Sequence, residues 1–178
     1  WVTATVDSYG WVGMYTYIAV DLSGKVHISY YDNDYPNSAL KYATNVSGAW
    51  TATAVDNTGW VGMDTSIALD ASGNAHIIYF DASNVGLKYT TNVSGAWVTS
   101  TVDHSGIVGM HTSLALDTSD KAHISYYDYW SGNLKYATNA SGAWVMTTVD
   151  SSGDVGMYTS IAPDTSGKVH ISYFDNTD

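Results

Sequence analysis

The chain has 178 residues and a net charge of −11, carried by six lysines against seventeen aspartates, with no Arg, Glu, Gln or Cys. Nucleic acid is excluded as a partner, because phosphate backbones are bound by Lys and Arg that release counterions, and the same charge argues against adsorption to anionic membrane. No run of 18 apolar residues is present to insert into a bilayer, and without Cys there is no disulfide framework to indicate a compartment.

Read from its start, the chain shows a strand-like run WVTATVD (1–7), then the connection SYGWVGMY (8–15) and a second run, TYIAVD. The turn DLSGK leads to VHISYYD (26–32), the loop NDYPNSA to LKYATN, and the turn VSGA to WTATAVD (50–56). Short runs rich in Val, Ile, Thr, Tyr and Trp, bounded by Gly, Asn, Asp and Ser, are the signature of strands and turns. The order then starts again. TNVSGAW at Thr44 returns unchanged at Thr91 and, as TNASGAW, at Thr138, each copy 47 residues after the last. The first unit is two residues longer, and the extra residues fall between Asp32 and Leu40.

A repeat in the forties with four antiparallel strands per unit is the blade of a β-propeller. The expected fold is therefore all-β, with three complete blades at 16–56, 65–103 and 112–150, a partial blade at 159–178, and residues 1–7 as an outer strand. Such a strand could complete the fourth blade of its own ring. Two chains joined head to tail, or a longer array of which this is a part, are the other ways to close it. The chain opens inside its own repeat pattern, so an upstream segment is expected. Units reading DxSGxxHISYYD…LKYATNxSGAW resemble the tandem propeller repeats of large secreted bacterial and archaeal proteins, most of them without assigned function. The resemblance covers the whole chain and implies a fold and an extracellular setting, not an activity.

Differences between units separate scaffold from candidate site. The turns DLSGK, DASGN, DTSDK and DTSGK barely change, and neither do the TNVSGAW turns. In an up-and-down sheet these two sets share one end. The connections at the other end vary: SYGWVGMY, NTGWVGMD, HSGIVGMH and SSGDVGMY, together with NDYPNSA, ASNVG and YWSGN. They carry Trp11, Tyr15, Tyr35, Trp60, Asp64, His104, His111, Tyr129, Trp130, Asp154 and Tyr158. Aromatic rings that stack on a pyranose, beside groups that take its hydroxyls, suit sugar recognition. Loops also vary simply because they are loops.

Other motifs read as structure. His27, His76, His123 and His170 recur once per unit, too dispersed to share a metal and suited to tying strands together. Asp32 and Asp34 form a DxD that could open a calcium loop, but the matching loops lack the second Asp. Asn45, Asn92 and Asn139 each begin an Asn-X-Ser sequon and double as turn residues. A sialidase-type activity needs Arg and Glu, and the chain has neither. No cofactor is implied. The reading is a non-catalytic, secreted glycan-binding module whose partner is a glycan or an extracellular protein. A structural or adhesive scaffold is the alternative. A polysaccharide lyase using His104, His111 and Tyr158 is the lesser one.

Overall fold

The computed structural model describes residues 1–34, 36 and 38–177. It is all-β, with fourteen strands in four antiparallel sheets. Sheet 1 holds β1 (Val12–Val20), β2 (Val26–Asp32), β3 (Ala39–Thr44) and β4 (Thr51–Asp56) in chain order. Sheet 2 holds β5 (Val61–Leu69), β6 (Ala75–Asp81), β7 (Gly86–Thr91) and β8 (Val98–Asp103). Sheet 3 runs from β9 (Val108–Leu116) through β10 (Ala122–Asp128) and β11 (Asn133–Thr138) to β12 (Val145–Asp150), and sheet 4 has β13 (Val155–Pro163) and β14 (Val169–Asp175). The first strands β1, β5, β9 and β13 pack against one another in succession.

Each first strand begins four residues before its expected start, because the constant Val-Gly-Met belongs to it. A bulge there hides the strand from a period-two reading. The pairing shifts register between Val61 and Met63 and again between Met63 and Ser66, and the other units shift at the same places. Residues 1–7, expected as an outer strand, form no strand, and sheet 4 has two strands among the described residues. Asp7 nevertheless receives Tyr30 Oη at 2.7 Å, as Asp56, Asp103 and Asp150 receive Tyr79, Tyr126 and Tyr173 at the other boundaries between units.

The core lies between sheets. Leu40 and Tyr42 of sheet 1 meet Val61, Ile67, Ile77 and Tyr79 of sheet 2, and Ile78, Leu87 and Tyr89 meet Val108, Leu114, Ile124 and Tyr126 of sheet 3. A β-strand points successive side chains to opposite faces, so a sheet wedged between two others must be apolar on both. Every residue of β6 is buried, whereas β1 and β14 at the two ends of the arc are largely exposed.

Three of the repeated histidines tie strands together, while the exposed His170 faces Asp164 at 3.2 Å. His27 Nδ1 meets Tyr42 Oη at 2.5 Å and His123 Nδ1 meets Tyr136 Oη at 2.6 Å, and His76 pairs with Tyr89 in the same way. Their Nε2 atoms face Asp21, Asp70 and Asp117 at 3.6, 3.6 and 3.2 Å. The sequon asparagines hold the neighbouring strand. Asn45, Asn92 and Asn139 accept through Oδ1 the first N–H of the second strand, from Val26, Ala75 and Ala122, each at 2.8 Å. Replacing Asn92 by Ala orphans the Ala75 N–H, which is expected to lower stability by about 1–2 kcal/mol, read as a reduced urea midpoint with unchanged slope.

Candidate functional site

The two variable sets of connections lie at one end, bound to each other through the main chain. Asn33 N donates to Trp11 O at 3.0 Å, Ala82 N to Trp60 O at 2.8 Å, Tyr129 N to Ile107 O at 2.9 Å and Asn176 N to Asp154 O at 2.9 Å. Each pair makes a fixed corner from which side chains project.

Tryptophan differs between the two ends, apart from Trp1, which is fully exposed. At the constant end, Trp97 and Trp144 turn inward onto the preceding unit, edge-on to Tyr42 and Tyr89 with ring centroids 5.1 Å apart in both cases. At the variable end, Trp11, Trp60 and Trp130 remain 73%, 52% and 71% exposed, and Tyr129 is exposed beside them. Trp130 lies over Gly106, where a Cβ would sit 3.1 Å from the indole. Asp154, at the same corner position as Trp11 and Trp60, is held by Tyr127 Oη and by Asn176 Nδ2 at 3.0 Å. The Tyr127 hydrogen bond, followed by that of Asn176, pulls its carboxyl below the usual range.

Nearer the meeting point of the four first strands, a second feature appears. Tyr15, Asp64, His111 and Tyr158 occupy equivalent places in their units, and all four have φ near +50°. A non-glycine residue in this region is uncommon and costs roughly 1–2 kcal/mol. The fold places them there because each sits inside the bulge, between a Gly of positive φ and a constant Thr. All four line one open depression of about 230 Å³, with Thr16, Tyr17, Thr65, Thr112 and Thr159. His111 and Tyr158 have ring centroids 4.4 Å apart, and Tyr15 lies 6.2 Å from Tyr31. Burial pushes the Asp64 carboxyl above its ordinary range, only partly opposed by the His111 imidazole and main-chain N–H. Burial, then Asp64 and Tyr31, raises the Tyr15 phenol.

Several expected groupings do not form. His104 lines a different depression, with Asp81, Asn84, Gly86, Lys88 and Thr101, so the trio His104, His111 and Tyr158 is not brought together. Asp32 accepts the Asp34 N–H at 3.1 Å and faces Lys41 Nζ at 3.5 Å, a cation where a calcium ligand should be free. Among the described residues no group of three or more His, Asp or other metal-ligating side chains is gathered. Tyr35 lies outside the described residues. The threonines of the depression escaped the sequence reading because they are constant, and constancy between units marked scaffold. Their tell was position, one residue after the most variable place in the unit.

Among solved structures the chain is similar to a protein of unknown function from Dyadobacter fermentans, at 12% identity and a TM-score of 0.67, over 90% of this chain and 48% of that one. It is similar to the Aleuria aurantia lectin in complex with Fucα1-6GlcNAc, at 16% identity and a TM-score of 0.63, over 91% of this chain and 54% of the lectin. It is also similar to an endo-arabinase from Bacteroides thetaiotaomicron, at 16% identity and a TM-score of 0.54, over 97% of this chain and 75% of the enzyme. The chain thus spans about half the length of the first two. These likenesses show the fold alone. No protein-family model matches the chain, and no curated protein does.

Proposed function

We propose that the four sheets are successive blades of a β-propeller whose variable end binds glycans without catalysis, in a secreted or cell-surface protein. The observation that carries this reading is the contrast in tryptophan: packed between units at one end, presented to solvent from rigid corners at the other. An indole left exposed in three of four equivalent corner regions, where Trp50, Trp97 and Trp144 of the other end are half-buried, is placed for contact. Aromatic faces stack on the C–H face of a sugar, while Asp, Asn and Thr nearby take its hydroxyls. The likeness to a lectin solved with Fucα1-6GlcNAc supports the ligand class.

The arabinase likeness favours a glycan ligand equally, but hydrolysis in that style needs a pair of carboxyl groups across the bond. Asp64 is the one carboxylate lining the depression among the described residues, and Asp154 is committed to Tyr127 and Asn176. Near-identical units suit several weak, equivalent contacts whose avidity adds along a polymer. The ring is closed either by a second copy joined head to tail or by further units of a longer array.

The test is binding to immobilised polysaccharides and to Fucα1-6GlcNAc. Trp60→Ala is expected to weaken binding tenfold or more with the circular dichroism spectrum unchanged, since one buried aromatic contact is worth over 1 kcal/mol. Wild-type affinity in Trp11→Ala, Trp60→Ala and Trp130→Ala across the whole panel would sink the reading and leave a structural scaffold.

A further inference from the structure

The tryptophan corners are not the only place where this end is built to take a ligand. The depression at the convergence of the first strands holds two unmet hydrogen-bonding demands. One is the Asp64 carboxylate, partly buried with only the His111 imidazole and main-chain N–H to answer it. The other is Thr65. Of its counterparts, Thr112 Oγ1 donates to Asp64 O and Thr159 Oγ1 to Ser125 Oγ. Ser29, placed in its unit as Ser125 is in its own, is buried without a partner like Thr65. Thr65 is 4% exposed, and its Oγ1 has no partner. A buried hydroxyl without a partner is destabilising until something answers it.

Side-chain identity at the bulge strengthens the point. Gly or Asn would relieve the left-handed backbone at residues 15, 64, 111 and 158. The chain instead carries Tyr, Asp, His and Tyr, all turned to one space. The residues flanking this position are constant, so the backbone is held fixed while the presented group changes.

We propose that Asp64, Thr65 and His111, walled by Tyr15 and Tyr158, form a single-occupancy subsite for the vicinal diol of one neutral sugar residue. This rests on the glycan reading and adds the place and chemistry of one site. Two adjacent hydroxyls donate to the Asp64 carboxylate, a charge-assisted arrangement stronger than a neutral pair. Thr65 Oγ1 and a nitrogen of the His111 ring take the remaining lone pairs and protons. The phenol rings cover the apolar side of the sugar. A ligand bearing its own carboxylate is rejected, because it would stand against Asp64 with no Lys among the lining residues.

The experiment is NMR of the imidazole and indole signals of the whole chain, titrated with methyl α-L-fucoside, methyl β-D-galactoside, methyl α-L-arabinofuranoside and, as a cation control, tetramethylammonium. At least one sugar is expected to move the His111 signal and leave His104 in place, with Asp64→Asn weakening that response at least tenfold. Asn tolerates the left-handed backbone, so this variant keeps the fold, and Thr65→Val serves as a second probe of the same site. A sugar that moves only the indoles, and binds Asp64→Asn and Thr65→Val as it binds wild type, overturns the subsite while the glycan reading stands. No response to any sugar at either set of signals overturns both. Tetramethylammonium moving His111 where the sugars do not overturns the diol in favour of a cation.

Discussion

Gly62→Ala is expected to be the most damaging single change outside the hydrophobic core. A Cβ at Gly62 would sit 2.7 Å from Leu40 Cα and 2.8 Å from Leu40 N, main-chain atoms that cannot swing aside. Gly109 and Gly156 meet Leu87 and Leu134 in the same way, so the constant Val-Gly of each unit marks where one sheet's first strand touches the preceding sheet's third. Gly62 also has φ +107°, strained for any L side chain. Overlap and strain together should cost about 3–5 kcal/mol. Gly13→Ala supplies the internal comparison. Its φ is +92°, but among the described residues nothing lies within 4 Å of the added Cβ. That variant should lose only the conformational part, roughly 1–2 kcal/mol. Equal urea midpoints for the two variants would mean that the sheets are not in close contact at Leu40.

The second large effect is expected at Asp103. Its carboxylate accepts Lys135 Nζ at 2.5 Å and Tyr126 Oη at 2.7 Å, joining sheet 2 to sheet 3, and both Asp103 and Tyr126 are buried. Asp103→Ala leaves the Lys135 ammonium with Ser105 Oγ at 3.1 Å in place of its carboxylate and the buried Tyr126 hydroxyl unanswered, which should cost about 3–5 kcal/mol. The same group predicts an acid transition. Burial alone would push its carboxyl up, but the hydrogen bonds from Lys135, Ser105 and Tyr126 outweigh burial and hold it at about 2. The unfolded chain titrates near 3.9. A carboxyl depressed on folding contributes stability that is full above its unfolded value and lost as pH falls through its folded value. Roughly 2 kcal/mol should therefore disappear between about pH 4 and pH 2. Asp103→Ala should show a shallower dependence of its urea midpoint over that window. An unchanged slope would mean that the carboxylate is not paired in solution.

Legibility in the sequence followed periodicity. VHISYYD, LKYATN and WTATAVD alternate and recur, and the structure has strands at Val26–Asp32, Ala39–Thr44 and Thr51–Asp56. The bulged start of each first strand was not legible. Two residues of positive φ interrupt the alternation there, and a Gly needed for close approach reads like a Gly needed for a turn. The candidate site was legible as a set of variable positions at one end, because that follows from strand parity alone. Its division was not. Trp11, Trp60 and Trp130 stand at outer corners, Tyr15, Asp64, His111 and Tyr158 surround a depression, and His104 belongs to neither.

By itself, then, the sequence determined the local order of this protein: four antiparallel strands per unit, the unit length, and which connections vary. Those properties live in contacts a few residues apart and repeat with the text. Tertiary structure decided which residues meet across units, since convergence of the first strands is set by packing between sheets far apart in the chain. Tyr15 and Tyr158 line one space although 143 residues separate them, and no period in the sequence says so. Thr65 is the sharpest case. Its type is constant from unit to unit, and only the packed sheets leave its hydroxyl buried without a partner.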